Sequence, residues 1–394
     1  MKKVMNNVFW IGMIDWEIKT FHGHEYSTNH GSTYNSYLIE EEKTVLIDTV
    51  WRPFAKEYVD NLAREIDLKN IDYIVVNHGE EDHSGALPEL MKHIPNTPIY
   101  CTSNAVKSLK GQYHQDWNFQ VVKTGDALDI GHGKKLVFVE MKMLHWPDSM
   151  ATYLTSDNIL FSNDAFGQHY ATTRLFNDLV DSCELEQEAI KYFANILTPF
   201  SSVLRKKLDE VLSLGLDIDM IATSHGVIWR DNPMQIVEKY AQWSNEYQEN
   251  QITIVYDTMS RGTKKLAEKI AEGIGLEDPS VNTKVFNLPV SDVNEVITEI
   301  FKSKTVVVGS ATVLNTVLHS IASLIHLMTQ LKFKNKKAAS FGCYGWSGEG
   351  NQVLNNMLHD AGFEMVDDGF KNQWSPDEDQ QRAAIEYGKK IARA

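Results

Sequence analysis

One short stretch, Asn77-His78-Gly79-Glu80-Glu81-Asp82-His83, gathers four side chains of the kinds that hold metal ions: His78, Glu80, Asp82 and His83. It follows an apolar run, Ile71–Val76, that reads as a strand, and it opens a helical pattern through Ala86–Met91. Alternate side chains of an extended stretch share a face, so His78, Glu80 and Asp82 can converge while His83 turns in as the helix starts. Donors from one strand-end loop make a site at little loop-closure cost. The plainer reading is a polar surface loop, because acidic residues are common at helix N-termini. Three further residues, each beyond an apolar segment, weigh against that: His145 in Leu144-His145-Trp146-Pro147-Asp148-Ser149, Asp164 in Asn163-Asp164-Ala165-Phe166-Gly167, and His225 in Ser224-His225-Gly226. Strand ends are where α/β-type folds place their sites. Imidazole and carboxylate without thiolate exclude soft copper and iron–sulfur chemistry. Seven donors exceed what one tetrahedral zinc uses, and Asp164 can bridge, so the set points to two ions.

A second set lies near the other end of the chain. Strand Ile252–Tyr256 runs into Thr258-Met259-Ser260-Arg261-Gly262-Thr263 and then a helix. Hydroxyls and backbone N–H groups at a helix N-terminus suit a phosphate. An ordinary capped turn uses the same residues, and the G-x-x-x-x-G-K loop is absent. Two later strand ends strengthen the phosphate reading: Ser310-Ala311-Thr312-Val313-Leu314-Asn315, and Gly342-Cys343-Tyr344-Gly345-Trp346-Ser347-Gly348. Both allow close backbone approach, and Tyr344 and Trp346 add faces for a flat ring.

The elements that carry these residues change character near residue 250. Before it, Tyr34–Ile39, Lys43–Ile47, Tyr73–Val76, Thr97–Cys101, Leu136–Glu140 and Asn158–Phe161 read as strands. Helices are expected at Pro53–Glu65, Leu87–His93 and Glu184–Thr198, which fits a layered α/β or α+β domain. From Gln251 five strand–helix units follow, the last strand at Phe363–Val366 and the last helix near Asp377–Ile391. Such repetition implies a doubly wound parallel sheet. The expected domains are 1–250 and 251–394, joined by a polar, helical Arg230–Glu249.

Composition narrows the function classes. Of 394 residues, 38 are Lys or Arg and 53 are Asp or Glu, giving a net charge of −15, which disfavours nucleic acid and anionic lipid as partners. No apolar run approaches the ~18 residues a spanning helix needs. Asn6, Asn7 and Asp15 interrupt any signal-peptide core, so a cytoplasmic protein is expected. Cys101, Cys183 and Cys343 are few and far apart, which excludes a disulfide framework and a CxxC metal module.

The strand-end motifs resemble the metallo-β-lactamase fold, whose hydrolases carry H-x-H-x-D-H. Glu80 at the second histidine position is similar to the flavodiiron proteins (A-type flavoproteins), and it offers iron a harder oxygen donor. The resemblance covers essentially the whole chain. It implies a metallo-β-lactamase-like αββα sandwich followed by a flavodoxin-like doubly wound parallel sheet. It implies two non-haem irons, one held by His78, Glu80 and His145 and the other by Asp82, His83 and His225, with Asp164 bridging. It implies FMN, with the phosphate at Thr258–Thr263 and the isoalloxazine between Ser310–Asn315 and Gly342–Gly348. Tyr192 reads as a core aromatic, and the resemblance adds that its hydroxyl can face the substrate. His22, His24 and His30 can line the pocket; His93, His114, His132, His169, His319, His326 and His359 read as surface or packed residues. Tyr34–Ile39, Leu144–Met150, Asn163–Tyr170 and Tyr344–Gly348 look closest to the flavorubredoxin branch, whose rubredoxin portion lies beyond the part matched here.

The implied activity is reduction of nitric oxide to nitrous oxide, dioxygen to water, or both, with electrons from a separate donor such as rubredoxin or its reductase. A di-metal hydrolase with the flavodoxin domain as a sensor is the alternative, and Glu80 counts against it. A plain electron carrier leaves seven placed donors unexplained. The family's head-to-tail homodimer, alone or as a dimer of dimers, brings the flavin of one chain to the irons of the other. That arrangement needs the loops around Trp146 and Trp346 at an interface, where large aromatics are enriched.

Overall fold

The computed structural model describes residues 1–213 and 215–394. Two compact units divide them, Met1–Tyr192 with Phe200–Ala241, and Phe193–Pro199 with Gln242–Ala394.

The first unit is built on two sheets. The larger runs in sequence order through β1 (Lys2–Met5), β2 (Val8–Trp10), β3 (Tyr37–Glu40), β4 (Thr44–Ile47), β5 (Ile71–Val75), β6 (Ile99–Cys101) and β7 (Phe119–Val121). Its first half is antiparallel and β4 to β7 are parallel. The smaller holds β8 (Ala127–Gly131), β9 (Lys134–Glu140), β10 (Met150–Leu154), β11 (Ile159–Asn163) and β12 (Met220–Thr223). Ile47 and Val75 of one sheet join Phe138, Leu154 and Phe161 of the other in a single buried cluster, so burying apolar faces holds the layers together. Helix α1 (Ala55–Glu65) buries Tyr58, Val59 and Leu62 at helical spacing, and α2 (Ser103–Tyr113) starts where Thr102 accepts from the Ala105 amide. Helix α3 (Ser182–Tyr192) continues as a π-helical turn at Phe193–Leu197 and a 3-10 turn at Thr198–Phe200, so the expected helical span is present but changes winding. Beyond it lie α4 (Ser201–Ser213) and α5 (Met234–Trp243).

The strand expected at Tyr34–Ile39 is broken. Ser32–Tyr34 pairs with Met13–Asp15, and β3 starts only at Tyr37. Between them the Asn35 amide donates to Ser224 O at 2.8 Å and its side chain to Thr223 O and Gly226 O. The backbone leaves the sheet to hold the loop that carries His225. The helix expected at Leu87–His93 is one short turn, Leu87–Leu90, and another precedes it at Glu81–Ser84.

The second unit is a parallel sheet in the order β14 (Asn282–Asn287), β13 (Glu249–Tyr256), β15 (Ser303–Gly309), β16 (Lys337–Tyr344), β17 (Glu364–Met365). Helices α6 (Gly262–Glu277), α7 (Val293–Lys302), α8 (His319–Leu331), α9 (Gly350–Asp360) and α10 (Glu378–Arg393) alternate with the strands. The unit begins at Gln242, ahead of residue 250, where Trp243 packs on Phe193 and Tyr247 stacks on Phe301. The strand expected at Phe363–Val366 shrinks to two residues. β18 (Phe370–Gln373), also paired with β16, reaches the ligand end of the sheet instead. A turn separates the two pieces, with Gly369 at φ +85° and its amide on Asp367 Oδ1 at 2.8 Å. Among the described residues no helix is long and apolar enough to cross a membrane.

Candidate metal centre and a second ligand cavity

The loop after β5 carries His78 and Glu80, and the helical turn that follows carries Asp82 and His83. Asp164 follows β11, His225 follows β12, and His145 lies between β9 and β10 after a cis Leu144–His145 peptide. Two donor groups result: His78, Glu80, His145 and Asp164 in one, Asp82, His83 and His225 in the other. Within each group the donor atoms lie within 4.8 Å of one another. All seven expected residues are therefore brought together.

Asp164 divides between them. Its Oδ2 faces Nε2 of His145 at 3.5 Å and of His78 at 3.7 Å, while its Oδ1 faces Nε2 of His83 at 3.0 Å and of His225 at 3.6 Å. Every imidazole presents Nε2 to the cluster. For two of them the cause is visible on the far side of the ring. His78 Nδ1 meets Asp148 Oδ1 at 2.9 Å, and His225 Nδ1 donates to Thr33 O at 2.6 Å, which turns Nε2 of each ring inward, to Glu80 Oε2 at 3.1 Å and Asp82 Oδ2 at 3.0 Å. Gly226 permits the His225 turn: it sits at φ +74°, and a Cβ there would come within 1.9 Å of Gln168 Oε1.

The electrostatics call for a cation. Asp82, His83, Asp164 and His225 are buried. Burial favours neutral acids, but the His83 charge, with the hydrogen bond from His225 to Asp82 and the His145 imidazole beside Asp164, outweighs it and holds Asp82 and Asp164 below the usual carboxylate range. Burial likewise opposes protonation of His83, yet the Asp164 and Asp82 charges lift it to about 9. His78 is raised against the same penalty by Asp148 and Glu80. Asp82 Oδ1, Asp164 Oδ2 and His83 Nε2 are buried without a hydrogen-bond partner. The His83 nitrogen is close to Asp164 but not aligned on it. Lone pairs that converge on a shared point rather than on each other fit a metal ion, which would replace the protons now balancing the charge.

Two neighbours, Asp148 and Asp48, carry no sequence signal of their own, and a third, His169, is packed as expected. Asp148 stood in a quoted motif, but only His145 was singled out. Asp48 follows β4 and receives the Asn77 amide at 2.7 Å and its side chain at 3.0 Å, fixing the residue before His78. Burial pushes its carboxyl up to about 6. His169 is buried, 4.8 Å from the His225 ring, with Ser32 Oγ at 2.8 Å. Of the three N-terminal histidines, His22 lines a cavity of about 400 Å³ together with Phe21, Trp51, Glu80 and Asp82; His30 pairs with Glu188 at 2.8 Å and His24 is exposed. Tyr192 is buried, its ring 5.4 Å from His169, and burial with the Asp164 charge drives its hydroxyl far above the ordinary range.

In the second unit, a cavity of about 350 Å³ opens at the carboxyl ends of β13, β15 and β16. Thr258, Met259, Ser260, Gly262 and Thr263 form one wall, Ala311 and Thr312 a second, and Cys343, Tyr344, Gly345 and Trp346 a third. The remaining expected residues flank it. Arg261 is exposed at φ +65° ahead of α6, Ser310 receives the Leu318 amide, and Gly342 lies against Ser310 O. Asn315 is exposed in a turn, Ser347 is exposed in the loop after β16, and Gly348 packs under Tyr344. The buried Thr258 hydroxyl has no partner, and that of Thr263 has none beyond the weakly polar Cys343 thiol. Unpaired buried hydroxyls at a helix N-terminus fit an anionic oxygen.

Comparison with known proteins follows this division. Residues 33–226 match the ODP family beta lactamase and residues 254–388 the flavodoxin family. The chain is 58% identical over 391 residues to an anaerobic nitric oxide reductase flavorubredoxin of Escherichia coli O1:K1, covering 99% of this chain and 81% of that one. Among solved structures, the rubredoxin oxygen:oxidoreductase of Desulfovibrio gigas superposes with a TM-score of 0.95 at 34% identity, over 100% of this chain and 98% of that one. The flavodiiron protein of Giardia intestinalis gives 0.94 at 32%, over 100% and 96%.

Proposed function

The chain belongs to the flavodiiron protein family, and from that premise we propose that it is an oxidoreductase reducing nitric oxide to nitrous oxide, dioxygen to water, or both. The observation that carries this reading is Asp164, which turns one carboxylate oxygen to each of two donor groups. Residues 1–250 are assigned the diiron domain and 251–394 the FMN domain. His78, Glu80 and His145 are assigned to one iron, Asp82, His83 and His225 to the other, and Asp164 to both. When bound, the irons would hold the diatomic gas and FMN would supply electrons singly. Asp148 and the Thr33 carbonyl fix two of the ligand imidazoles, so the lone pairs are aimed before metal arrives. Tyr192, kept protonated by burial, is assigned as hydrogen-bond donor toward the substrate.

Thr258 and Thr263 hold the flavin phosphate in this reading, with Ser260, Arg261 and Gly262 shaping its loop. Tyr344 and Trp346 border the ring. The name of the Desulfovibrio relative couples rubredoxin to dioxygen, which supports a separate rubredoxin-like electron donor. Trp346 is 85% exposed at the cavity mouth, which supports a head-to-tail homodimer covering it. A cytoplasmic location completes the proposal.

The test is anaerobic stopped-flow mixing of the reduced protein with each gas, alongside metal and flavin analysis. Two irons, one FMN and rapid reoxidation by at least one gas are expected. Two zinc ions and no reaction with either gas would replace this reading with the hydrolase.

A further inference from the structure

The loop after β18 reaches the same cavity, and no sequence motif announced it. Trp374 and Ser375 line it beside the first and third walls. Trp374 is 62% exposed, yet its backbone is at φ +60°, a region that bulky residues rarely adopt. The surroundings hold it there. Its amide donates to Tyr344 O at 2.8 Å, and its carbonyl accepts from Asn372 Nδ2 at 3.1 Å. Gln373 Nε2 donates to Gly345 O at 2.9 Å, and Lys265 Nζ to Ser375 Oγ at 3.4 Å, tying the loop to the third wall and to the first turn of α6. The indole lies over Gly345, where a Cβ would come within 3.0 Å of Cζ3.

A large apolar ring left half in solvent on a strained backbone is worth keeping where a ligand covers it. We propose that Trp374 is a fourth wall of the flavin site, offering its indole face to the bound FMN. This rests on the FMN assignment above. Gly345 serves the same purpose by leaving room for the indole, and the Lys265–Ser375 contact fixes the loop beside the phosphate end.

The test reads FMN release from the holoprotein, by flavin emission on serial dilution and during heating. Trp374→Gly removes the ring and suits the left-handed backbone. It is expected to raise the FMN dissociation constant about threefold to tenfold, as loss of one aromatic contact does, with iron content unchanged. Trp374→Phe is expected to keep the constant within about twofold of wild type while flavin emission of the holoprotein rises. Wild-type dilution curves and melting for Trp374→Gly overturn the proposal. Should that variant not fold, unchanged flavin emission in Trp374→Phe overturns it. Wild-type protein that never binds FMN overturns the underlying reading instead.

Discussion

Asp148 Oδ1 stands 2.9 Å from Nδ1 of His78, and neither side chain is reached by solvent. Its other oxygen receives the Gly79 amide at 3.3 Å, so one carboxylate fixes both the ring and the backbone beside it. Outer partners of this kind matter nearly as much as the ligands. Asp148→Asn should fold but bind metal about 10–100-fold more weakly. Metal titration by calorimetry checks this, and wild-type affinity would refute the role.

Removing the residue shared by both donor groups should have a wider effect. Asp164→Ala is expected to lose both metals together rather than one, and gas reduction with them. Metal counting on the purified variant decides. A protein retaining two irons and full activity would show that Asp164 does not bridge.

For the flavin, Thr258→Val and Thr263→Val replace unpartnered hydroxyls by methyl groups of similar size. Each should weaken FMN binding by roughly tenfold, the worth of about one hydrogen bond to a charged group. The apoprotein should melt at or above the wild-type temperature, because a buried unpaired hydroxyl is removed. Unaltered FMN retention in both variants would relocate the phosphate.

Lys336 gives a pH signature in the second unit. Its buried Nζ donates to the carbonyls of Phe301 and Ser303 at 2.7 Å and of Tyr247 at 3.1 Å. Burial pulls the ammonium down to about 7, against the Glu249 charge. The unfolded chain keeps the ordinary lysine value near 10.5, so between these limits it binds the extra proton and stability rises with pH. The gain is full above about 10.5 and is lost progressively as pH falls from there to about 7, at no more than about 1.4 kcal/mol per unit. Lys336→Met should be less stable overall, because three carbonyls lose this donor, and should lack that rise. Denaturant melts of both proteins from pH 6.5 to 9.5 compare the slopes, and parallel curves would refute the shift.

The dimer can be tested by complementation. Asp82→Ala should disable the metal site, and Thr258→Val with Thr263→Val should disable the flavin site. Co-refolding the two chains should restore partial activity through one composite pair in each mixed dimer. Full activity in a proven wild-type monomer would remove the need for a partner chain.

The sequence by itself determined the donors and the fold class. His78 to His83 form a contiguous run, and His145, Asp164 and His225 each follow an apolar segment, so period and punctuation suffice to find them. The strands β13, β15 and β16 were legible for the same reason, because parallel strands buried on both faces are written as apolar runs. Long-range hydrogen bonding decided the rest. Asn35 leaves its strand to bind the His225 loop, a partner nearly 190 residues away. The Asp367–Gly369 turn cuts one expected strand and makes β18, which carries Trp374 to the cavity at the carboxyl ends of β13, β15 and β16. Asp148 and Asp48 look like any other loop aspartate until the sheets bring them behind His78 and Asn77. Local periodicity reports which face a residue occupies. It carries no record of which distant backbone amide or imidazole will stand opposite, because that pairing exists only once two layers have packed.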